Sequence, residues 1–530
     1  MKKTIIIAAA LLGCIGASAQ NPYLPLWEFI PDGEPYVFED PDNPGSYRVY
    51  VYGSHDILEQ YYCGRDQVVW SAPVEDLSRW RYDGVIFESK TDRDGNLLNP
   101  DGVGDVLYAP DVALKEENGK KTYYLYPNVQ SDERSSLVAK SDRPDGPFTV
   151  CNWDKDNPRR TVGPLGFDPA AFVDDDGRVY GYWGFGRAGV AELDPETMAT
   201  VKPGTEIQRT VTGFKEPGIA RFYEASSIRK IKDKYVLIYS RWTGDGDFGL
   251  PESNYTLAYS YSESPLGPWT YGGTIIDGRG RDRRSDGTTV ATACPNGNTH
   301  GSICEIDGKW WVFYHRQAGT SEYSRQAMVA PIEVEVMEGP GGYVRISEGE
   351  FTSEGFATEG LDPLKRYPAG IACWFTGPKP AVQQYPNMVY YGSHTEIIRG
   401  QWDGQGDPYA PECNRCPMVN NTSGSVVGYK YFNFSRTFGR KGTRLQVSYV
   451  PEGVEGTMEI WLDRPCAEEG GVKLGTLKIG AKSDGKPVDA NVKLPGLGNY
   501  NGKHALFFVF SSPEEGKSIC TLNDFRFDCR

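Results

Sequence analysis

The stretch GFDPAAFVDDDGRVYGYWG, residues 166–184, decides the fold. It places a polar residue, Asp168, before an apolar strand, a tight turn with Gly177 and a strand rich in Tyr and Trp, which is typical of a β-hairpin. The pattern occurs five times, beginning near Asp32, Asp111, Asp168, Glu224 and His300. Strand repeats with a period longer than about 40 residues predict a β-propeller rather than a solenoid.

A second repeated phrase indicates further strands in each repeat. SDRPDGPFTV at 141–150 and SESPLGPWTY at 262–271 follow the second and fourth hairpins. Residues 317–335 read as a closing strand. The sequence therefore predicts a propeller of five blades. The strand signals favour four strands in each blade.

The chain is too long for one core of ordinary size, so we expect more than one domain. We assign residues 20–335 to the propeller and the Gly- and Pro-rich residues 336–385 to a connector packed on it. Residues 386–530 contain strands of sandwich length and spacing, among them TRLQVSYVP, GTMEIWLDRP and KHALFFVFS. The predicted fold is all-β, a five-bladed β-propeller followed by a jelly-roll-like β-sandwich.

The first 19 residues read as a bacterial export signal. Lys2 and Lys3 precede an apolar run, and Ala17-Ser18-Ala19 forms a small-x-small cleavage site. The run is too short to span a membrane, and no other segment looks transmembrane. We expect an exported protein, periplasmic or secreted. A lipoprotein attached through Cys14 is the less favoured alternative.

Charge narrows the set of partners. The chain has 56 Lys and Arg against 71 Asp and Glu, a net charge of −15, which repels a phosphate backbone and argues against nucleic acid. A neutral polysaccharide is compatible with this surface, and we expect a monomer. Ten cysteines follow the signal, and export permits disulfides whose pairing the sequence leaves open.

Five phrases in order carry a resemblance to a known family. They are PDGEPYVF with YGSHD, YAPDV with YYLYPN, GFDPAAFVDDDGRVYGYWG, FYEASSIRK with YVLIYS, and THGSICEIDGKWWVFYHR. Over about 300 residues the chain resembles glycoside hydrolase family 43, inverting five-bladed propeller enzymes that act on arabinose- and xylose-containing glycans. The last 140 or so residues are similar to family 6 carbohydrate-binding modules, and the aromatic residues that such a module would use are Tyr429, Tyr431 and Trp461.

The resemblance assigns three acids. An inverting glycosidase needs a carboxylate that deprotonates water and a carboxylic acid that protonates the leaving oxygen. The family pattern implies that Asp32 is the general base and Glu224 the general acid. Asp168 matches the acid that modulates the pKa of the proton donor. Burial beside the aromatic residues Phe222 and Tyr223 would raise the pKa of Glu224, as a donor requires.

Other residues have implied supporting roles. Arg325 matches an arginine suited to bind sugar hydroxyls or a catalytic carboxylate, with Arg316 as the competing choice. Tyr52, His55, Trp183 and Trp242 could contact substrate or pack between blades, and Asp111 takes a supporting position. No cofactor is required for the chemistry. His300 is either close to a structural calcium ion or a buried histidine without one.

The sequence thus predicts an exported inverting glycoside hydrolase acting on arabinose- and xylose-containing plant cell-wall polysaccharides or their oligosaccharides. The activity implied is that of an α-L-arabinofuranosidase, a β-xylosidase or both. The alternatives are an endo-acting xylanase or arabinanase of the same family, and a catalytically inactive carbohydrate-binding propeller.

Overall fold

The computed structural model describes residues 19–58, 61–244, 246–294, 297–318, 322–379, 382–384, 389–391, 416–434 and 443–528. The predicted export signal up to residue 18, including Cys14, lies outside these residues, as do Cys413 and Cys529. Within the described ranges, no helix is long and apolar enough to cross a membrane. Within these ranges, no two cysteines are joined to each other by a disulfide bond.

Four blades of the propeller are antiparallel sheets whose strands follow one another in sequence order. The first blade contains β1 (Glu34–Glu39), β2 (Tyr47–Tyr52), β3 (Gln67–Pro73) and β4 (Arg81–Phe87). The second contains β5 (Asp111–Glu117), β6 (Lys120–Tyr126), β7 (Ala139–Ser141) and β8 (Thr149–Val150). The third contains β9 (Ala170–Val173), β10 (Val179–Trp183), β11 (Gly189–Leu193) and β12 (Gln208–Arg209). The fourth contains β13 (Phe222–Ile231), β14 (Lys234–Thr243), β15 (Ser253–Ser262) and β16 (Thr270–Asp277).

The fifth blade is closed by the start of the chain. A hairpin of β17 (Arg281–Arg283) and β18 (Thr289–Ala291) precedes its strands β19 (Ser302–Ile306), β20 (Lys309–Gln317) and β21 (Arg325–Ile332). The Asn21 side chain donates to the Val329 carbonyl at 2.7 Å and accepts from the Val329 amide at 3.0 Å. This contact covers the outer edge of β21 and joins the two ends of the propeller. The predicted five-bladed propeller is confirmed.

The middle strands of the blades are the most buried. All of β3 except Pro73 is buried, and β14 is buried except for Trp242. These strands face neighbouring blades on both sides, so their burial is continuous along the strand rather than alternating. The first strands instead bring polar residues toward the axis, which is where a functional site can form.

Two packed sheets form the C-terminal sandwich. One sheet has the order β24 (Tyr367–Pro368), β35 (Cys520–Asp528), β30 (Arg444–Pro451) and β33 (Val488–Lys493), with β28 (Met418–Asn421) also paired to β35. The other has the order β25 (Trp374–Thr376), β29 (Val426–Asn433), β34 (Lys503–Ser511), β31 (Gly456–Leu462) and β32 (Val472–Ile479). The remaining elements are β22 (Val334–Val336), β23 (Val344–Ile346), β26 (Val382–Gln384), β27 (Val389–Tyr391) and the 3₁₀ turns Asp247–Gly249, Ala369–Ile371 and Leu497–Asn499. The predicted sandwich is confirmed.

The predicted boundary at residue 386 is wrong, because the segment 336–385 is only partly a connector. Its strands β24 and β25 belong to the two sheets of the sandwich. They are two and three residues long, too short to show the alternation that identifies a strand in sequence. The hairpin of β22 and β23 packs on the propeller, where the Tyr259 hydroxyl donates to the Val344 carbonyl at 3.2 Å.

Arg316 fastens the sandwich to the propeller. Its guanidinium is buried and donates to the Ala372 carbonyl at 2.6 Å and to the Gly370 carbonyl, both just before the sandwich strand β25. A continuous apolar core runs across the same contact, from propeller residues such as Val312 to sandwich residues such as Phe508. Arg316 therefore belongs to the domain contact, and it is not the arginine of the cavity.

We expect Arg316→Met to lower the free energy of unfolding by about 3–5 kcal/mol, because two buried carbonyls lose their charged donor. Thermal and urea unfolding measure the change. The matched control is Arg345→Met, which removes an exposed arginine 3.6 Å from Glu335 and should change stability by less than about 0.5 kcal/mol. Equal stability of the two variants would contradict the anchoring role.

Candidate active site

A cavity of about 470 Å³ opens at the end of the propeller where the first strands of the blades begin. Carboxylates from three blades line it: Asp32, Asp168 and Glu224. His300 and Arg325 from the fifth blade line it as well. The structure thus brings together all three acids that the sequence singled out, along with the predicted arginine and histidine.

Asp32 lies two residues before β1 and has a left-handed backbone with φ of 61°. Its amide donates to His315 Nδ1 at 3.2 Å, and its carboxylate accepts from the Ser54 hydroxyl and from Arg325 Nη1, the latter at 3.1 Å. Burial raises the pKa of this carboxyl, but the positive charges of Arg325 and His300 and the Ser54 hydrogen bond outweigh it and hold the pKa below its usual value. Asp32 is therefore ionised at neutral pH.

Arg325 is held in a fixed position by a second buried carboxylate. Its Nε lies 2.9 Å from Asp56 Oδ2 and its Nη2 lies 2.8 Å from Asp56 Oδ1, a bidentate pair. The remaining donors reach Asp32, Asn298 Oδ1 at 3.3 Å and Cys63 Sγ at 3.4 Å. Because its N–H groups are directed at protein acceptors, Arg325 orients and charges Asp32 rather than offering a free fork to a sugar.

Glu224 projects from an irregular part of the fourth blade. The register of β13 against β14 shifts on both sides of Glu224, and Ala225 has a φ of 69°. Such a bulge re-aims a side chain from the sheet toward a cavity. Burial and the negative charge of Asp168 raise the pKa of Glu224 well above its usual value.

Asp168 lies next to Glu224 and is held by neutral donors. Asn128 Nδ2 donates to its Oδ1 at 2.8 Å and the Ala225 amide to its Oδ2 at 3.0 Å. Burial raises its pKa to about 6, while the nearby charge of His300 acts in the opposite direction. At neutral pH Asp168 is mostly ionised and favours the protonated form of its neighbour Glu224.

His300 connects the cavity to a buried network below it. Its Nδ1 lies 3.8 Å from Asp168 Oδ2, and its Nε2 lies 3.6 Å from Glu34 Oε1. Burial opposes its charge, but Glu34 and Asp168 raise its pKa to about 9. The other oxygen of Glu34 is 2.8 Å from Arg229 Nη2, so Glu34 bridges two cations.

Asp111 supports the blades rather than the cavity. It accepts from the Tyr36 hydroxyl at 2.6 Å and from the Ala171 amide at 2.8 Å, and so joins the first three blades. Burial and the charge of Glu34 raise its pKa to about 7. Its predicted supporting position agrees with these contacts.

The charged neighbours of His300, the residue suggested to lie near a structural calcium ion, are Glu34 and Asp168. Among the described residues, no group of three or more His, Cys, Asp or Glu side chains is arranged to hold a metal. The charge that faces Glu34 from the other side belongs to the guanidinium of Arg229. A structural calcium near His300 therefore stays a prediction.

Three predicted substrate contacts are wrong. Tyr52 is fully buried between the first two blades, where its hydroxyl donates to the Pro144 carbonyl at 2.7 Å. His55 pairs with Glu28 and Asp66, both at 3.1 Å, and these charges outweigh burial and raise its pKa to about 10. Trp183 packs against the core of the third blade. Each side chain has its partners away from the cavity, and none of the three lines it.

Sequence reasoning missed several residues that shape the site. Ser54 and Asp56 lie in the phrase YGSHD, yet only their contacts, Ser54 with Asp32 and Asp56 with Arg325, show why they matter. Trp242 was among the suggested substrate contacts and does line the cavity, whereas most of the other aromatic lining was missed, because much of it comes from loops outside the hairpins. The aromatic residues that line the cavity are Tyr61, Tyr62, Tyr108, Phe167, Phe185, Tyr223 and Trp242.

The geometry defines a class of protein. One cavity holds an ionised carboxylate, a protonated carboxylic acid and a third acid that keeps them in different protonation states, on a propeller with aromatic walls. Glycoside hydrolysis requires this combination of a base and an acid. The protein is a glycosidase.

Comparison with known proteins identifies its family. The sequence profile of glycosyl hydrolases family 43 matches residues 38–336, and the chain belongs to this family. A xylosidase/arabinosidase from Thermoclostridium stercorarium is 31% identical over 522 residues, covering 94% of this chain and 98% of that protein. An arabinoxylan arabinofuranohydrolase from Paenibacillus polymyxa is 23% identical, covering 93% of this chain and 71% of that protein.

Solved structures of the family include one similar along most of this chain. The crystal structure of an arabinoxylan arabinofuranohydrolase from Bacillus subtilis in complex with cellotetraose is 21% identical, with a TM-score of 0.45. The similarity covers 97% of this chain and 98% of that one.

We expect Ser54→Ala to move the acidic limb of the kcat/KM profile to higher pH. The hydrogen bond from the Ser54 hydroxyl stabilises the charged form of Asp32, so the loss of this bond raises the pKa of Asp32. The control is Ser89→Ala, which removes a similar hydrogen bond from a serine hydroxyl to Asp105, outside the cavity. This variant should leave the acidic limb of the kcat/KM profile unchanged. An unchanged acidic limb in Ser54→Ala would contradict Asp32 as the group that must be ionised.

We expect Asp168→Asn to move the alkaline limb to lower pH. The charge of Asp168 raises the pKa of Glu224, so neutralising it lets Glu224 lose its proton sooner as the pH rises. A pH series of kcat/KM measures the shift. Movement of this limb to higher pH would show that Asp168 does not act on Glu224 through its charge.

Proposed function

We propose that the enzyme hydrolyses its glycosidic bond with inversion of configuration, with Asp32 as general base and Glu224 as general acid. Asp32 takes a proton from the attacking water, and Glu224 gives its proton to the leaving oxygen. The observation that carries this assignment is the opposite displacement of two carboxyl pKa values within one cavity. Asp168 keeps the donor protonated, and Arg325 keeps the base ionised.

We propose that the substrates are α-L-arabinofuranosyl and β-D-xylosyl groups on arabinoxylan or its oligosaccharides. The relative from Thermoclostridium stercorarium is named for xylose and arabinose, and the one from Paenibacillus polymyxa for arabinoxylan. The two pentoses present similar shapes to one pocket, so a single enzyme can accept both. A neutral glycan also suits an acidic protein that repels polyanions.

The likeness of the sandwich to family 6 carbohydrate-binding modules remains part of the proposal, but one of its suggested aromatic contacts is wrong. Tyr429 is fully buried and its hydroxyl donates to the Ala369 carbonyl at 2.9 Å. Tyr431 and Trp461 are half-buried beside a cluster that also contacts Val290 of the propeller hairpin. We infer that the sandwich acts first as a scaffold, and that any sugar site on it does not use Tyr429, which leaves Tyr431 and Trp461 as the suggested contacts.

We also propose that the protein is exported and that its mature chain starts near residue 20. We propose in addition that it is a monomer. Amino-terminal sequencing of the protein recovered outside the cytoplasm tests the first, and light scattering of the purified chain tests the second.

We expect Glu224→Gln to lower kcat/KM on methyl pentosides by about 10²–10⁴-fold, because their leaving oxygen needs a proton. Dinitrophenyl pentosides have a leaving group that needs no proton, so Glu224→Gln should hydrolyse them almost as fast as the wild type does. The matched variant Asp32→Asn should lose activity on both. Equal losses of Glu224→Gln on both substrate types would contradict its role as the acid.

The same substrates decide the remaining alternatives. The anomer released by the wild type, followed by NMR, should be inverted, and a retained anomer would overturn the mechanism. Release of single pentoses from oligosaccharides is expected, whereas longer fragments would identify the endo-acting alternative. Absence of hydrolysis of every pentoside would leave the inactive sugar-binding propeller.

A further inference from the structure

His315 is a buried histidine that takes no part in the proposed proton transfers. It lies in β20 of the fifth blade and is fully buried. Its ring centroid is 6.5 Å from that of Tyr255 in the fourth blade. Unlike His300, it does not line the cavity, but its two ring nitrogens contact Asp32 and Asn298, which do. His315 therefore joins the base to another part of the cavity wall.

The partners of His315 determine which ring nitrogen carries its proton. The Asp32 backbone amide donates to Nδ1 at 3.2 Å, and a backbone N–H group can only donate. Nε2 lies 2.9 Å from the Asn298 carbonyl oxygen, which can only accept. One form of the ring satisfies both contacts, the neutral tautomer with its proton on Nε2.

The charges around His315 leave the ring in this neutral form. Burial, together with the positive charge of Arg325, outweighs the negative charges of Asp32 and Asp56 and lowers the pKa of His315 to about 4. A second proton would lie on Nδ1 and would meet the N–H group of Asp32. The nearest carboxylate oxygen of Asp32 is 3.5 Å from Nδ1, farther than the amide nitrogen. The ring is therefore an acceptor for this amide at neutral pH.

The backbone of Asp32 needs such an acceptor. Its φ of 61° lies in the left-handed region, which costs a residue other than glycine conformational energy. Asp32 is buried, and a buried amide without a partner is costly. Arg325 and Ser54 hold the carboxylate, whereas His315 holds the main chain from which that carboxylate projects.

The second ring nitrogen extends this control to the arginine of the cavity. Asn298, whose carbonyl accepts from Nε2, also accepts from Arg325 Nη1 through its side-chain oxygen at 3.3 Å. The same Nη1 donates to Asp32 Oδ1 at 3.1 Å. The contacts form a closed circuit from the Asp32 amide through His315, Asn298 and Arg325 back to the Asp32 carboxylate.

We propose that His315 is a positioning residue for the catalytic base. Its unprotonated Nδ1 accepts the Asp32 amide hydrogen, holds the left-handed backbone in place and so aims the carboxylate at the attacking water. This inference rests on the proposed role of Asp32 as the base. His315 itself keeps its one proton on Nε2 throughout the reaction.

Two variants separate the acceptor atom from the rest of the ring. An asparagine carries its amide oxygen at the distance of Nδ1 from the backbone, so His315→Asn can still accept from the Asp32 amide. A glutamine carries its amide at the distance of Nε2, so His315→Gln loses that acceptor. We expect His315→Gln to lower kcat about 100-fold with little change in KM, because a small misplacement of a reacting group costs about this much. His315→Asn should keep kcat much closer to the wild-type value.

The choice of substrate connects the loss to the base. The base acts on water whatever the leaving group, so His315→Gln should lose kcat equally on methyl and dinitrophenyl pentosides. A loss confined to methyl pentosides would place the effect on the acid and overturn the inference. The control is His504→Gln, which removes an imidazole that pairs with Asp463 at 3.0 Å in the sandwich and should leave kcat unchanged.

NMR of the chain labelled in its histidine ring nitrogens tests the tautomer without turnover. The chain has five histidines, and the signal missing from His315→Asn identifies the ring. At neutral pH we expect a proton on Nε2 and none on Nδ1. A protonated Nδ1 overturns the inference, even if thermal unfolding shows that His315→Gln does not fold.

The outcomes separate this inference from the proposed function. If Asp32→Asn is inactive but His315→Gln keeps the wild-type kcat, His315 does not position the base, and the hydrolytic mechanism stands. If Asp32→Asn keeps its activity, the proposed role of Asp32 fails first and the inference fails with it. Equal losses of kcat in His315→Asn and His315→Gln would also overturn the inference, because Nδ1 would then not be the atom that matters.

Discussion

Two buried cations on the propeller axis, Arg325 and His300, determine the protonation of the acids around the cavity. Each buried ion costs several kcal/mol in lost hydration unless a partner offsets it. Arg325 lies 3.1 Å from Asp32 and keeps it ionised. His300 is 3.8 Å from Asp168, and Glu224 has no ion pair among the described residues. The uneven distribution of positive charge thus makes one carboxyl a base and another an acid.

These cations depend on charges supplied by other blades. Asp56 holds Arg325 in a bidentate pair, and Glu34 lies between His300 and Arg229. Arg229 also donates to the Ile303 carbonyl at 3.1 Å, which ties the fourth blade to the fifth. The closed ring of blades therefore does more than present acids at one end. It fixes the opposing charges within a few ångströms, where their attraction exceeds the cost of burial.

The sequence predicted the blades because a hairpin is signalled by its turn and its alternation. The roles of the three acids came from the family resemblance, because an acid near the start of a strand is by itself most simply a turn or strand residue. Which neighbours a side chain contacts was harder to predict, so Tyr52 and Trp183 were placed at the cavity, although Tyr52 packs between the first two blades and Trp183 against the core of the third. Asp56 was missed because its importance arises only from contact with Arg325, 269 residues away. Strands as short as β25 leave no periodic signal, which shifted the predicted domain boundary.

The choice between Arg316 and Arg325 shows how one strand pair serves two purposes. In the register of β20 and β21, Arg316 is opposite Gln326, and Gln317 is opposite Arg325. Arg316 also donates to the Gln326 side chain at 2.9 Å while it reaches the carbonyls before the sandwich. The sandwich is thus bonded to the same pair of strands that carries the arginine of the cavity, one residue away in register. A module that only delivered substrate would need no such bond, whereas one that stiffens the strand behind Asp32 would. The contacts of Arg316 therefore link the position of β21, and with it Arg325, to the sandwich.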